Sequence, residues 1–406
     1  MQLVERHLIK PRHKYFGECD KLCLLSKNLY NLANYIYRQN FFSGVMTNAI
    51  EVYHQLKTTP EYQALPSKVA QSTLRLLLRN WTSYISASKA YLQNPNKFKG
   101  EPKIPHYKGK RSKNRSDGRY VVTYNNQAIS KKCLKKEQIV HPSGTNIFLP
   151  SKASFVDEVR IVPKTSCYMI EVVYSTEEKP SLDEQRIASI DLGLNNLCTL
   201  TYNLPREKPV IYDGRAIKSA NQYANYRNAE LRSQLPDTQQ TSQRIERLWR
   251  KRNQKVDYFL HTTSRAIIND LVQKNIGILV IGWNEEFKNG INLGAVNNQK
   301  FASIPHKRLI QQLEYKGKLA GIKIVLVNEA YTSKCSALDH EPIQKHHSYL
   351  GKRLKRGLFQ TATNLRINAD VNGSINIGRL YLLKVVGNGN IPHPIEEPVR
   401  WAGSPT

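Results

Sequence analysis

Asp191 closes the apolar run Ala188-Ser189-Ile190 and is followed by Leu-Gly-Leu-Asn-Asn. Asp370 opens a helical run, with Asn368 two residues before it. A carboxylate at a strand end, with a glycine opening the next turn, can hold a divalent cation. An aspartate in the first turn of a helix also has a plain structural reading, against the helix dipole. Together, at the two ends of one α/β region, the pair points to metal-assisted phosphodiester hydrolysis. In that chemistry, carboxylates hold two Mg²⁺ ions about 4 Å apart, which activate water and stabilise the leaving oxygen. A third acid is needed. The apolar strand GILVIGW ends in Gly282-Trp283-Asn284, with Glu285 and Glu286 beyond it, and the next apolar strand, Ile322 to Asn328, ends in Glu329.

The elements that must position these acids are legible from residue 187 onward. IASIDLGLNNLCTLTY reads as a buried strand, a tight turn and a second strand, and PVIYDGRAI as a third. A long helical stretch is expected over 218–275. GILVIGW is a short buried strand, 300–319 is helical, GIKIVLVNEAY is another buried strand, and DVNGSINIGRLYL is a last helix. Hairpin strands followed by helices alternating with apolar strands is the order of an RNase H-like α/β domain. Upstream, 18–93 reads as helical, with Leu22, Leu24, Leu25, Leu29, Leu32 and Ile36 at helical spacing and Ser67 expected to cap a second helix. Composition shifts near 95: between 95 and 140 there are 13 Lys and Arg against 3 Asp and Glu. RYVVTYNNQAI, NIFLP, SFVDEVRIVP and CYMIEVVYS then suggest antiparallel strands in a β-barrel or sandwich. A strand over 2–10 is expected to join them, making the helices an insertion.

The chain has 406 residues, 61 Lys and Arg against 32 Asp and Glu, and a net charge of +29. Such a charge calls for a polyanion, and its spread along the chain favours nucleic acid over a membrane. The longest apolar run, Ile276 to Trp283, is far short of the roughly 20 residues that span a bilayer. MQLVERHLIKPRHK has no apolar signal core, so a cytoplasmic protein is expected. Six cysteines at 19, 23, 133, 167, 198 and 335 include no Cys-x-x-Cys pair, which argues for reduced thiols.

The DLGLNN turn, the YKGKLAGIKIVLVNEAYTSKCS run and the NADVNGSINIGR helix resemble the RuvC domain of the TnpB family, the RNA-guided endonucleases of insertion sequences ancestral to type V CRISPR effectors. PKIPHYKGK and the strands after it resemble that family's wedge barrel, and the early helices its recognition lobe. The resemblance implies a multidomain α/β and β-barrel fold. A discontinuous wedge barrel takes 1–17 and 94–180 and a helical recognition lobe takes 18–93. An RNase H-like (RuvC) nuclease domain takes 181–386, with an insertion over 332–366 in the zinc-finger position, and 387–406 is an extended tail. It implies a prokaryotic, nucleoid-associated enzyme with a guide RNA from the element's end, target double-stranded DNA and Mg²⁺ as cofactor.

Two departures bear on the site. The family usually carries its middle glutamate where Gly282 stands. Glu329 is one strand over, about 4.8 Å away, within reach of a long side chain. Asp191, Glu329 and Asp370 are therefore expected to be catalytic and to hold the metal, with Glu285 or Glu286 as the alternative third ligand. The other departure is the finger, where Cys335 with His340, His346 and His347 is a poor tetrahedral set and zinc is not expected.

RNA-guided recognition needs cations distributed along a backbone and only a short motif read in the flanking DNA. Lys103, Tyr107, Lys108, Lys110, Arg111, Tyr124, Asn125 and Gln127 are candidates for that contact, as are Arg250, Lys251, Arg252, Lys352 and Arg353. A nuclease-dead guided repressor and an RNA-independent transposase or resolvase remain as alternatives.

Overall fold

The structure, a computed structural model, describes residues 1–45, 49–109, 118–284, 304–385, 387 and 398–401. Lys110, Arg111, Glu285 and Glu286 lie outside them. The chain divides into two compact units, 1–176 and 177–406.

The first unit runs β1 (Gln2–Ile9), α1 (Phe16–Phe42), α2 (Ala49–Leu56), α3 (Pro60–Gln63), α4 (Ser67–Gln93), β2 (Val122–Asn125), α5 (Lys131–Glu137), β3 (Ile139–Val140), β4 (Leu149–Pro150), β5 (Glu158–Lys164) and β6 (Cys167–Ser175). The strand order β1-β6-β5-β2 is antiparallel throughout. Because β1 pairs with β6 along its whole length, α1–α4 are inserted between two strands of one sheet. Val122, Tyr124, Val159, Ile161, Ile170 and Val172 share a core with α1 and α4. Where the turn-rich sequence suggested a barrel, the described strands pair as this four-stranded sheet and a separate β3-β4 ribbon. Alternation marks strands but not how sheet edges meet. Ser67 does not cap α4: Pro66 stands at the N-cap and Ser67 is the first helical residue. Proline suits a helix start because its missing N–H is one the helix cannot pair.

The second unit runs β7 (Asp183–Leu192), β8 (Asn196–Tyr202), β9 (Val210–Asp213), α6 (Arg215–Ser233), α7 (Gln243–Gln273), β10 (Ile276–Gly282), α8 (His306–Ala320), β11 (Lys323–Val327), β12 (Lys352–Lys355), β13 (Leu358–Gln360), β14 (Arg366–Asn368), α9 (Ala369–Val385) and β15 (Val399–Trp401). Its six-stranded sheet has the order β11-β10-β7-β8-β9-β15. The β7-β8-β9 meander is antiparallel, and β10 and β11 are added parallel to β7. Alternate residues sort to two faces, as strand geometry requires. Ala188, Ile190, Leu279 and Ile281 pack with α7 and α8, whereas Ile187, Ile278 and Val280 pack with Ile377 and Tyr381 of α9. Asp191 falls in phase with Ile187 and Ser189.

Three expectations are corrected. The helical stretch over 218–275 is two helices, broken before Gln243. Pro236, which can neither donate nor avoid the preceding turn, stands in the break. The β11 strand is an edge rather than a buried strand, and Leu326 is exposed. The tail is not merely extended: Val399–Trp401 pairs in parallel with β9, where unpaired backbone groups of an edge strand accept another strand.

Lys316 joins α8 to α7, donating from Nζ to the His261 carbonyl at 2.8 Å and Ser264 Oγ at 2.6 Å. Burial, and secondarily Arg265, lower its pKa from 10.5 to about 8. Below pH 8 both folded and unfolded chains hold the proton, and the folded state bears the full cost of a buried ammonium. Between pH 8 and 10.5 only the unfolded chain holds it, so stability rises with pH. Across this window the wild type should gain melting temperature relative to Lys316→Met; a constant gap would refute the assignment.

Candidate active site

The register of the central strands decides which side chains meet. Ile281 pairs with Ile190 and Gly282 with Val327, so Gly282 is level with Asp191, and Glu329 follows two residues beyond Val327. A Cβ on residue 282 would overlap Ile377 and stand 2.9 Å from Glu329 Oε2. The Glu329 carboxylate thus lies against the space that a side chain on β10 would take. From the helix side, a Cβ on Gly373 would stand 2.9 Å from Asp191 Oδ2.

Helix α9 gathers the acids through its own polar residues. Ser374 Oγ donates to the Ser189 carbonyl at 2.9 Å and meets Thr201 Oγ1 at 2.9 Å, which pins the helix to β7 and β8. Asn372 and Asn376, one turn apart, both donate to the Cys335 carbonyl, at 2.9 and 2.8 Å, and Asn376 also donates to the Thr332 carbonyl. Thr332 in turn donates from Oγ1 to the Glu329 carbonyl at 2.8 Å. Asp370 begins the helix under an Asn368 cap, whose Oδ1 accepts from the Asp370 and Val371 amides. Its Oδ2 accepts from Asn196 Nδ2 at 2.6 Å, and Arg353 Nη2 stands 3.8 Å from Oδ1.

Asp191 is half-buried. Burial pushes its carboxyl well above the usual range, and the charges of Asp370 and Glu329 push it further; Arg353 opposes them. Burial likewise raises Glu329. Among the described residues no three acid, histidine or cysteine side chains already converge on one point as a ligand set. The donors are nevertheless of the right kind: hard carboxylate oxygens, mutually repelling and desolvated, with glycines at 282 and 373 leaving them room. This is the environment that a divalent cation relieves. The residues fit such an ion.

A family model described as a probable transposase, OrfB of IS605, matches residues 170–287, and one for the Cas12f1-like TNB domain matches 306–377. A TnpB-like protein, ORF457 of Acidianus two-tailed virus, is 22% identical over 404 residues, covering 90% of this chain and 83% of its own. In these matches the chain is similar to proteins of the TnpB type. Cas12f1, solved as a complex with guide RNA and target DNA, matches in fold with a TM-score of 0.53 at 14% identity, over 90% of this chain and 82% of its own.

The segment 332–366 is ordered around a carboxylate. Glu341, 2% exposed, accepts from the Ser336 amide at 2.6 Å and the Leu350 amide at 2.9 Å, and its carbonyl accepts from Arg379. Cys335 donates to the Gln344 carbonyl, and His346 Nε2 lies 2.7 Å from the Pro342 carbonyl.

Two of the sequence candidates for nucleic-acid contact have other duties. Tyr124 is fully buried in the first core and presents no face to a base. Lys108 lies between the rings of Tyr30 and Tyr120, clasped through its backbone by Asn31. Asn125 is only partly exposed, while Lys103 and Gln127 are exposed. Tyr107 is exposed beneath Arg38. Lys251, Lys352 and Arg353 are exposed; Arg250 is partly so, and Arg252 donates to Asn221 of α6. Sequence reasoning missed Asn196 and His306, whose Nε2 lies 2.8 Å from the Gly193 carbonyl in the turn after Asp191. The paired asparagines of DLGLNN were a signal for the first; nothing near His306 signalled the second.

Gly282→Ala should lower stability by about 1–3 kcal/mol through overpacking, and Ile377→Val added to it should recover part of that in chemical denaturation. Glu341→Ala orphans the buried Ser336 amide, at about 1–3 kcal/mol, and removes the acceptor of the part-buried Leu350 amide. Protease nicking within 332–366 should therefore accelerate in that variant, and unchanged nicking would count against its role.

Proposed function

We propose that this protein is an RNA-guided DNA endonuclease of a transposable element, hydrolysing DNA beside a short flanking motif. The observation that carries the reading is the gathering of Asp191, Glu329 and Asp370 at one end of the β7-β10-β11 strands, in a chain whose net charge is otherwise +29. Similarity to TnpB-type proteins supports a guide RNA and target DNA as partners. Charge supports it too, since gripping a heteroduplex backbone needs distributed cations.

Asp191, Glu329 and Asp370 would hold the divalent metal, read as Mg²⁺. When bound, the metal supplies an activated water and charge stabilisation at the scissile phosphate. The chain's own groups set the rest. Asn196 occupies Oδ2 of Asp370 and thereby orients its carboxylate. Arg353, on exposed β12 beside Oδ1, is placed to bind a phosphate oxygen and to offset the local negative charge. Ser374 keeps the helix against β7, so the distance between Asp191 and Asp370 is fixed by packing.

The test is cleavage of a plasmid bearing a guide-matched target beside a randomised flank, in Mg²⁺, by protein co-expressed with its native locus. Asp191→Ala, Asp370→Ala and Glu329→Ala should each cost roughly a hundredfold or more, on the scale of losing one transition-state stabilising group. Glu329→Asp should also fail, because the shorter arm loses its reach past Gly282. Arg353→Gln should be milder. Cutting that survives Glu329→Ala would move the third acid to Glu285 or Glu286. Guided binding without cutting by the wild type would make the protein a guided DNA-binding regulator.

A further inference from the structure

Helices α6 and α7 pack side by side, joined by Trp249 Nε1 donating to Asn228 at 3.2 Å and Arg252 Nε donating to Asn221 at 2.6 Å. The two helices line a groove of about 1110 Å³. One wall is a stripe of α7. Arg244, Arg247, Lys251, Lys255 and Tyr258 follow one another at three- and four-residue steps, so they share a single helix face. All five are exposed. From Arg244 to Lys255 the stripe runs about 16 Å along the axis. The opposite wall is α6, where Ala216, Ser219 and Ala220 are small and leave the groove open, and Tyr223 stands beyond them. Among the described residues, no acid lines it.

Two features select the occupant. A row of cations without acids suits a phosphate backbone. Tyr223 and Tyr258 are 61% and 54% exposed although both line the groove. Aromatic rings left uncovered beside a cationic track are what unpaired bases stack on. A duplex offers only its phosphates to such a surface, since its base faces are already stacked. We infer that the α6–α7 groove binds a single-stranded nucleic acid segment, with the α7 stripe gripping the phosphates and Tyr223 and Tyr258 stacking bases. The groove is a second nucleic-acid site, built from residues that do not belong to the carboxylate cluster. The inference rests on the nucleic-acid reading of the charge and not on cleavage.

The test uses the full chain and a single strand of 20 deoxythymidines carrying photoreactive 5-iododeoxyuridine, without divalent cation. Crosslinked peptides are mapped by mass spectrometry, with unlabelled oligodeoxythymidine, oligouridine and a 20-base-pair DNA duplex as competitors. Crosslinks are expected at Tyr223 or Tyr258, competed by either single strand and poorly by duplex. Tyr223→Ala and Tyr258→Ala should each weaken the groove-specific crosslink about tenfold, the scale of one lost stack. The Tyr→Phe forms should keep it, which separates stacking from folding. Lys251→Gln with Arg247→Gln should flatten its salt dependence. Crosslinks confined to residues outside 215–273, with binding otherwise intact, would overturn the groove and leave the charge reading standing. Equal competition by duplex would overturn the single-strand assignment. Failure of the wild type to bind any of the nucleic acids would overturn both.

Discussion

Helix α9 must bury almost all of its first three turns and still carry a charged carboxylate at its start. The solution is polar contact on several sides. Ser374 bonds the β7 backbone, Asn372 and Asn376 hold the segment that follows Glu329, and Gly373 gives Asp191 its space. Each buried amide or hydroxyl here satisfies a backbone group that water no longer reaches, and leaving such a group unpaired costs more than the bond gains. The motif Asp-Val-Asn-Gly-Ser-Ile-Asn is therefore a positioning device as much as a source of one acid.

The site's electrostatics follow from that packing. Backbone register and helix contacts bring Asp191 under the charges of Asp370 and Glu329. The proton affinities of Asp191 and Glu329 rise, and a cation becomes the natural partner. Glycine at 282 extends the same logic to the sheet. The middle strand gives up its side chain, and the neighbouring edge strand delivers Glu329 into the volume released.

Charge is distributed differently elsewhere. The cations of α7 form a stripe because helical spacing puts every third or fourth residue on one face, and that stripe is solvent-exposed beside uncovered tyrosines. The segment after Glu329 is ordered by amide-to-carboxylate bonds centred on Glu341, and Cys335 and His346 also meet backbone carbonyls.

Periodicity and punctuation in the chain determined most of the second unit's elements, because a buried strand must be apolar on both faces and a helix must repeat its apolar face. They also marked Asp191, Glu329 and Asp370 as acids at element ends, and the family motifs lay in consecutive residues. Tertiary structure decided what depends on neighbours far apart in the chain. Only the parallel register of β10 with β7 and β11 sets Gly282 level with Asp191. Only packing shows Tyr124 buried and Lys108 held between rings, since a short alternating stretch does not say which face is covered. The strand order of the first sheet and the strand at Val399–Trp401 likewise rest on pairings that local sequence does not encode.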